Sequence, residues 1–143
     1  MEHNLGIENL IKILEKFFSK SKEEGVLFCY LFGSFAYQNF NSKSDVDIAV
    51  FLDKEKNEDF FKTRLELIAN LSRLLKREAD VVILNNAKSI LFKYAILREG
   101  KLVFAKDAER MVDFEMKVLR DYYDFLPFSK EYNKAYIERC LNE

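Results

Sequence analysis

The sequence predicts a mixed α/β domain with a helical C-terminal tail, and three observations carry that expectation. Apolar runs of strand length alternate with segments of helical period along residues 5 to 105. Two of the strand-like runs, DVDIAVFL and EADVVIL, open on carboxylates and continue as apolar residues. From Asp107 onward the pattern is helical alone. The resulting order of helix, strand, strand, helix, strand, helix, strand and helices describes a small mixed sheet flanked by helices. A chain of 143 residues holds one domain in expectation, here 1–143, with its core at about 26–106 and the tail at about 107–143.

Each element follows from a local pattern. Ile7, Leu10, Ile11, Leu14, Phe17 and Phe18 recur at helical spacing and predict a first helix over residues 5 to 20. The unbroken apolar run VLFCYLF, 26 to 32, suits a strand buried on both faces. After Gly33-Ser34 and a polar stretch, residues 45 to 52 form the second strand. Phe61, Leu65, Ile68, Leu71 and Leu75 mark a helix over roughly 57 to 76, and residues 78 to 84 a third strand. Asn86 is the expected cap of a helix over 87 to 98, followed by the short strand KLVFA, 101 to 105. The tail is expected helical from Asp107 to Pro127 and again from Ser129, because proline interrupts a helix.

Composition narrows the function. The chain is 49% hydrophobic and 33% charged, as a folded domain is, and no apolar segment approaches the roughly 18 residues of a membrane span. The N-terminal residues carry acids and no small-residue cleavage site, so no secretory signal and a cytoplasmic location are expected. Cys29 and Cys140 lack metal-type spacing and read as reduced thiols. A net charge of −1 with interspersed signs gives no broad footprint for nucleic acid, so direct nucleic-acid binding is not expected. His3 is the single histidine, which removes histidine-based triads and most transition-metal sites.

The chemistry concentrates in LFGSFAYQNFNSKSDVDIAVFL, residues 31 to 52. Asp45 and Asp47, two apart on a strand, leave the same face about 6.6 to 6.8 Å apart along the chain. They repel each other unless a counter-charge is near. Asp80 opens another strand in the same way, so three carboxylates converge if the two strands are neighbours. Such a cluster binds divalent cations or holds a proton. All-oxygen ligands favour magnesium or manganese over zinc, and two cations bridged by Asp45 and Asp47 would suit displacement at phosphorus. Gly33-Ser34 complements the acids: the glycine lets backbone approach a phosphate, residues 35 to 38 can start a turn whose amides point at it, and Ser34 adds a hydroxyl donor. Taken singly, an acidic strand end and a Gly-Ser turn are ordinary features.

Together, Gly33-Ser34, ten residues, Asp45-x-Asp47 and a later Asp80 resemble the signature of the nucleotidyltransferase superfamily related to DNA polymerase beta. The small size and the ending ADVVILNNAKSILFKYAILREGKLVFAKD are similar to the minimal nucleotidyltransferases (MNT) that act as antitoxins of HEPN ribonuclease toxins. The resemblance covers residues from about 26 to 106. It implies a polymerase beta-like fold, two Mg2+ ions (or Mn2+) held by Asp45, Asp47 and Asp80, and ATP as substrate. It implies that Asp80 ligates the catalytic metal and helps deprotonate the attacking hydroxyl, while Gly33 and Ser34 hold the β- and γ-phosphates. The implied reaction is AMP transfer to a tyrosine of a HEPN toxin, which silences it. Many relatives continue Gly-Ser with a residue and then Ala-Arg-Gly, whereas this chain has Phe35-Ala36-Tyr37-Gln38. Lys43 and Ser44 stand where they would partly compensate by touching phosphate or ribose; a solvated loop lysine is the other reading of Lys43.

On a helical wheel of residues 111 to 126, Asp113, Lys117, Arg120 and Asp124 share one stripe, with Asp121 beside it, and nearly all other positions are apolar or aromatic. The tail is therefore expected to bury two faces, the second against a partner protein or another copy of the chain, or else beneath its own last helix. Two further functional readings stand beside AMP transfer to a toxin. One is nucleotidyl transfer to a small molecule, for which the chain is short. The other is a non-catalytic antitoxin that masks its toxin by binding.

Overall fold

The structure is a computed structural model that describes residues 6–20, 25–36 and 45–141, with side chains continuous to 127 and then only at 134, 138 and 139. Its elements are α1 (Ile7–Lys20), β1 (Val26–Phe32), β2 (Val46–Leu52), α2 (Phe60–Leu75), β3 (Ala79–Ile83), α3 (Ile90–Glu99), β4 (Lys101–Ala105) and α4 (Ala108–Leu141). The strands form one sheet in the order β3-β2-β1-β4. β1 is antiparallel to both β2 and β4, and β2 is parallel to β3. The parallel pair needs a crossover, and α2 supplies it. This is the expected mixed sheet flanked by helices.

Helices cover both faces. On one, Leu10, Leu14 and Phe18 of α1 and Leu67 and Leu71 of α2 pack against Cys29, Leu31, Ile48, Val50 and Val81. On the other, Ile96 and Phe92 of α3 and Met111 and Phe114 of α4 pack against Phe28, Tyr30 and Ala49. β1 lies between β2 and β4 with both faces covered, which is why its seven residues are apolar without alternation.

Element boundaries shift where side chains intervene. Asp59 caps α2 by accepting from the Lys62 amide at 3.1 Å, so the helix starts three residues after the expected 57. Asn86 does not cap α3. Residues Leu84–Asn86 form a 3-10 turn tied to β2 by Asn85, whose side chain accepts from the Leu52 amide and donates to its carbonyl, both at 2.8 Å. The helix begins only after Ser89, whose hydroxyl accepts from the Phe92 amide. The tail is one helix of 34 residues, not two, with Pro127 inside it. A proline removes a single intrahelical bond, and the turns on either side of it carry the helix through. A last helix folding back over the tail, one of the two covers expected for its second face, is thereby excluded, because α4 does not double back. No helix among the described residues is long and apolar enough to cross a membrane.

Candidate active site

The site lies at one end of the sheet, where β1 ends and β2 and β3 begin. Parallel pairing sets Asp47 opposite Asp80, and antiparallel pairing sets it opposite Phe32. Alternation along β2 puts Asp47 on the side of Ala49, the face covered by α3 and α4, and register puts Asp80 on that same side. Asp45 immediately precedes β2 and is exposed. The conditional expectation that β2 and β3 are neighbours is met, since they pair directly.

The carboxylates feel one another. Burial pushes the Asp47 carboxyl above its ordinary value, and the charges of Asp80 and Asp45 push it further. Among the described residues, however, no three His, Cys, Asp or Glu side chains are gathered tightly enough to enclose a cation. The acids form an electrostatically coupled but open cluster. Its chemistry still fits a hard divalent cation: oxygen donors only, and mutual repulsion that such a cation would relieve.

Gly33 turns β1 into the 3-10 turn Gly33–Phe35, closed by the Ala36 amide donating to the Gly33 carbonyl at 3.1 Å. Its φ is +75°, and a Cβ placed there would overlap Asp47 Oδ2 and lie 3.1 Å from Asp47 Cγ. The turn and the acid are thus in direct contact. Ser34 follows, half-buried, and Phe35 drives the turn into the core, where its ring is fully buried beneath the Arg77 guanidinium. Beside Gly33, on the α3 side, a cavity of about 210 Å³ opens between Phe32 and Phe92, whose rings meet edge to face at 5.6 Å. Lys43 and Ser44 lie outside the described residues, as do Tyr37 and Gln38.

One charged neighbour had no signal in the sequence. Arg64 of α2 donates from Nη2 to Asp80 Oδ1 at 2.9 Å and from Nε to the Val81 carbonyl at 2.6 Å. It lies 16 residues before Asp80 and belongs to no local motif.

A sheet built around a β2-α2-β3 crossover, with a Gly-Ser turn seated on an acid pair, defines a nucleotidyltransferase type of domain. The family described as Polymerase beta, Nucleotidyltransferase matches residues 8–109, and the chain belongs to it. The chain is similar to the protein adenylyltransferase MntA of Aphanizomenon flos-aquae (strain 2012/KM1/D3), 26% identical over 96 residues, which is 62% of this chain and 63% of that protein. It is similar in structure to a chain of a toxin-antitoxin crystal structure with AMP-PNP, with a TM-score of 0.62, 26% identity and coverage of 85% of this chain and 90% of that one. A chain of the tri-AMPylated Shewanella oneidensis HEPN toxin in complex with MNT antitoxin matches with a TM-score of 0.55, 26% identity and coverage of 85% and 87%. The expectations of family and of fold are borne out.

Proposed function

We propose that this protein is an MNT-type antitoxin that transfers AMP from ATP to a tyrosine of a cognate HEPN toxin and so silences it. The observation that carries the reading is the seating of Gly33 against Asp47, with Asp80 in register beside it: a phosphate-approaching turn and an acid cluster in contact. The relatives support the chemistry, one being named a protein adenylyltransferase and others coming from complexes described as holding AMP-PNP or an AMPylated toxin.

In this reading Asp45, Asp47 and Asp80 hold two Mg2+ ions, or Mn2+. When bound, these neutralise the charge that builds on the phosphate oxygens during displacement. The Gly33 turn and the Ser34 hydroxyl hold the β- and γ-phosphates, with Lys43 and Ser44 as further contacts to phosphate or ribose. Asp80 ligates the catalytic cation and helps take up the proton of the acceptor hydroxyl. The hydroxyl oxygen forms its bond to the α-phosphorus as the bond to the departing pyrophosphate breaks. The whole chain, 1–143, acts as a single nucleotidyltransferase domain.

For the toxin, α4 offers a face. Val112 and Met116, one turn apart, and Tyr123 farther along are 50%, 61% and 61% exposed, while Phe114 and Val118 pack inward. The same stripe would serve a homo-oligomer. The masking alternative is kept by one observation: Phe35-Ala36-Tyr37-Gln38 replaces the Ala-Arg-Gly pattern of many relatives. Transfer to a small molecule is a further alternative.

The test is incubation of the protein with labelled ATP and Mg2+, with and without the product of the adjacent gene. AMP added to the partner by the wild type, and lost in Asp47→Asn, supports the transferase. Tight complex formation without transfer selects the masking module.

A further inference from the structure

The Arg64–Asp80 pair has the geometry of a ligand support. Both side chains are substantially exposed, 35% for Arg64 and 51% for Asp80, and an ion pair in that setting contributes little to stability. Yet its arrangement is more fixed than a surface pair needs. The guanidinium grips two points of β3 at once, the Val81 carbonyl through Nε and Asp80 Oδ1 through Nη2. The same Oδ1 accepts from the Val81 amide at 2.9 Å. Both hydrogen bonds to the Asp80 carboxylate from the described residues fall on Oδ1, and none of these residues donates to Oδ2.

Asp80 stands on β3, an edge strand, so one flank of the carboxylate has no neighbouring strand to restrict it. With half its surface in solvent, it lacks the packing that would select one rotamer. The hold on Oδ1 supplies that selection. It matters to the site because Asp80 lies in register with Asp47 and its charge is felt there. A guanidinium suits the task, since its planar fork meets a carboxylate oxygen and a carbonyl together, whereas an ammonium offers a single point.

We infer that Arg64 is a positioning residue: by anchoring Oδ1 of Asp80 it orients the carboxylate and leaves Oδ2 to serve the divalent cation. The inference rests on the nucleotidyl-transfer reading above. The positive charge of Arg64 opposes cation binding, an effect that solvent attenuates because both side chains are exposed. Loss of the orienting contact therefore dominates.

The experiment is a Mn2+ titration of the full-length protein, followed by electron paramagnetic resonance of free Mn2+ with AMP-PNP present, alongside metal-free thermal melting. Arg64→Met should weaken Mn2+ binding about tenfold or more, as loss of a supporting contact does at other metal centres, and Arg64→Lys should restore only part of it. Both should melt close to the wild type. On an Asp80→Asn background, Arg64→Met should cause no further loss of Mn2+ affinity, because Arg64 acts through Asp80. Unchanged or tighter Mn2+ binding in Arg64→Met overturns the inference, as does a further loss on the Asp80→Asn background. If Arg64→Met does not fold, full Mn2+ affinity in Arg64→Lys overturns it. A wild type that binds no Mn2+ with AMP-PNP overturns the transferase reading itself, and is told apart because it appears before any variant is compared.

Discussion

The Asp47 carboxylate fills the space that a side chain at Gly33 would need. The glycine adopts φ +75°, and its missing Cβ would collide with the Asp47 carboxylate. Two constraints, a left-handed backbone and a close approach, therefore fall on one residue.

Gly33→Ala violates both. The substitution is expected to destabilise the protein by about 1 to 3 kcal/mol through backbone strain and to displace Asp47, reducing nucleotide transfer at least tenfold. Melting temperature and initial rate, measured on the same preparation, check the two effects. Full activity with an unchanged melting point would contradict the contact.

The raised pKa of Asp47 predicts how metal-free stability varies with pH. The native carboxyl holds its proton more tightly than the unfolded chain does, because of burial and then of Asp80 and Asp45. Between the ordinary value of 3.8 and the raised native value, the unfolded chain binds fewer protons, so stability falls as pH rises; above that window the penalty is complete. Asp47→Asn is expected to melt higher than the wild type at about pH 7, with the difference shrinking toward about pH 4. Melting across that range without metal decides it.

Tyr30 joins β1 to α4 by donating its hydroxyl to Glu115 Oε2 at 2.8 Å. Burial, followed by the bond to Glu115 and its charge, holds the phenol far above its ordinary pKa, so it remains a donor at all working pH values. Tyr30→Phe removes a hydrogen bond to a charged group and should cost about 1.5 to 3 kcal/mol. Glu115→Gln, which keeps an acceptor, should cost less, as denaturant titration would record.

Phe28 is the aromatic centre of the face beneath α3 and α4. It is fully buried, stacked on Phe51 at 4.8 Å and in contact with Phe114 at 5.5 Å. Phe28→Ala should cost about 3 to 5 kcal/mol, the range for emptying a packed aromatic site. Chemical denaturation measures it.

Cys29 is fully buried on β1, and burial raises its thiol pKa well above the ordinary value. In a Cys140→Ser background, native protein should leave a thiol reagent unreacted on the timescale in which denatured protein reacts fully. Rapid labelling of the native state would show that β1 opens.

Much of the fold was legible because its signals are local. VLFCYLF announces a strand buried twice over, and the period of Leu10, Leu14 and Phe18 announces the face that α1 buries. The misreadings have physical causes. Asn86 is a good cap by type, but Asn85 beside it is committed to the β2 backbone and Ser89 takes the capping role. Pro127 breaks helices by type, yet α4 continues through it. Gly33, Ser34, Asp45, Asp47 and Asp80 were named from type and spacing, whereas Arg64 was not, since nothing local distinguishes an arginine on a helix facing solvent from one that reaches a strand.

By itself, then, the sequence determined which groups are available for chemistry and the order of helices and strands through β4, because residue type and periodicity are read over a few neighbours. Only the tertiary structure decided that Asp47 faces Asp80, that Gly33 fits beneath Asp47 and that Arg64 grips Asp80. Those relations come from strand pairing and helix packing between distant segments. Their register is selected by which faces must be buried together, a condition that the whole fold satisfies at once.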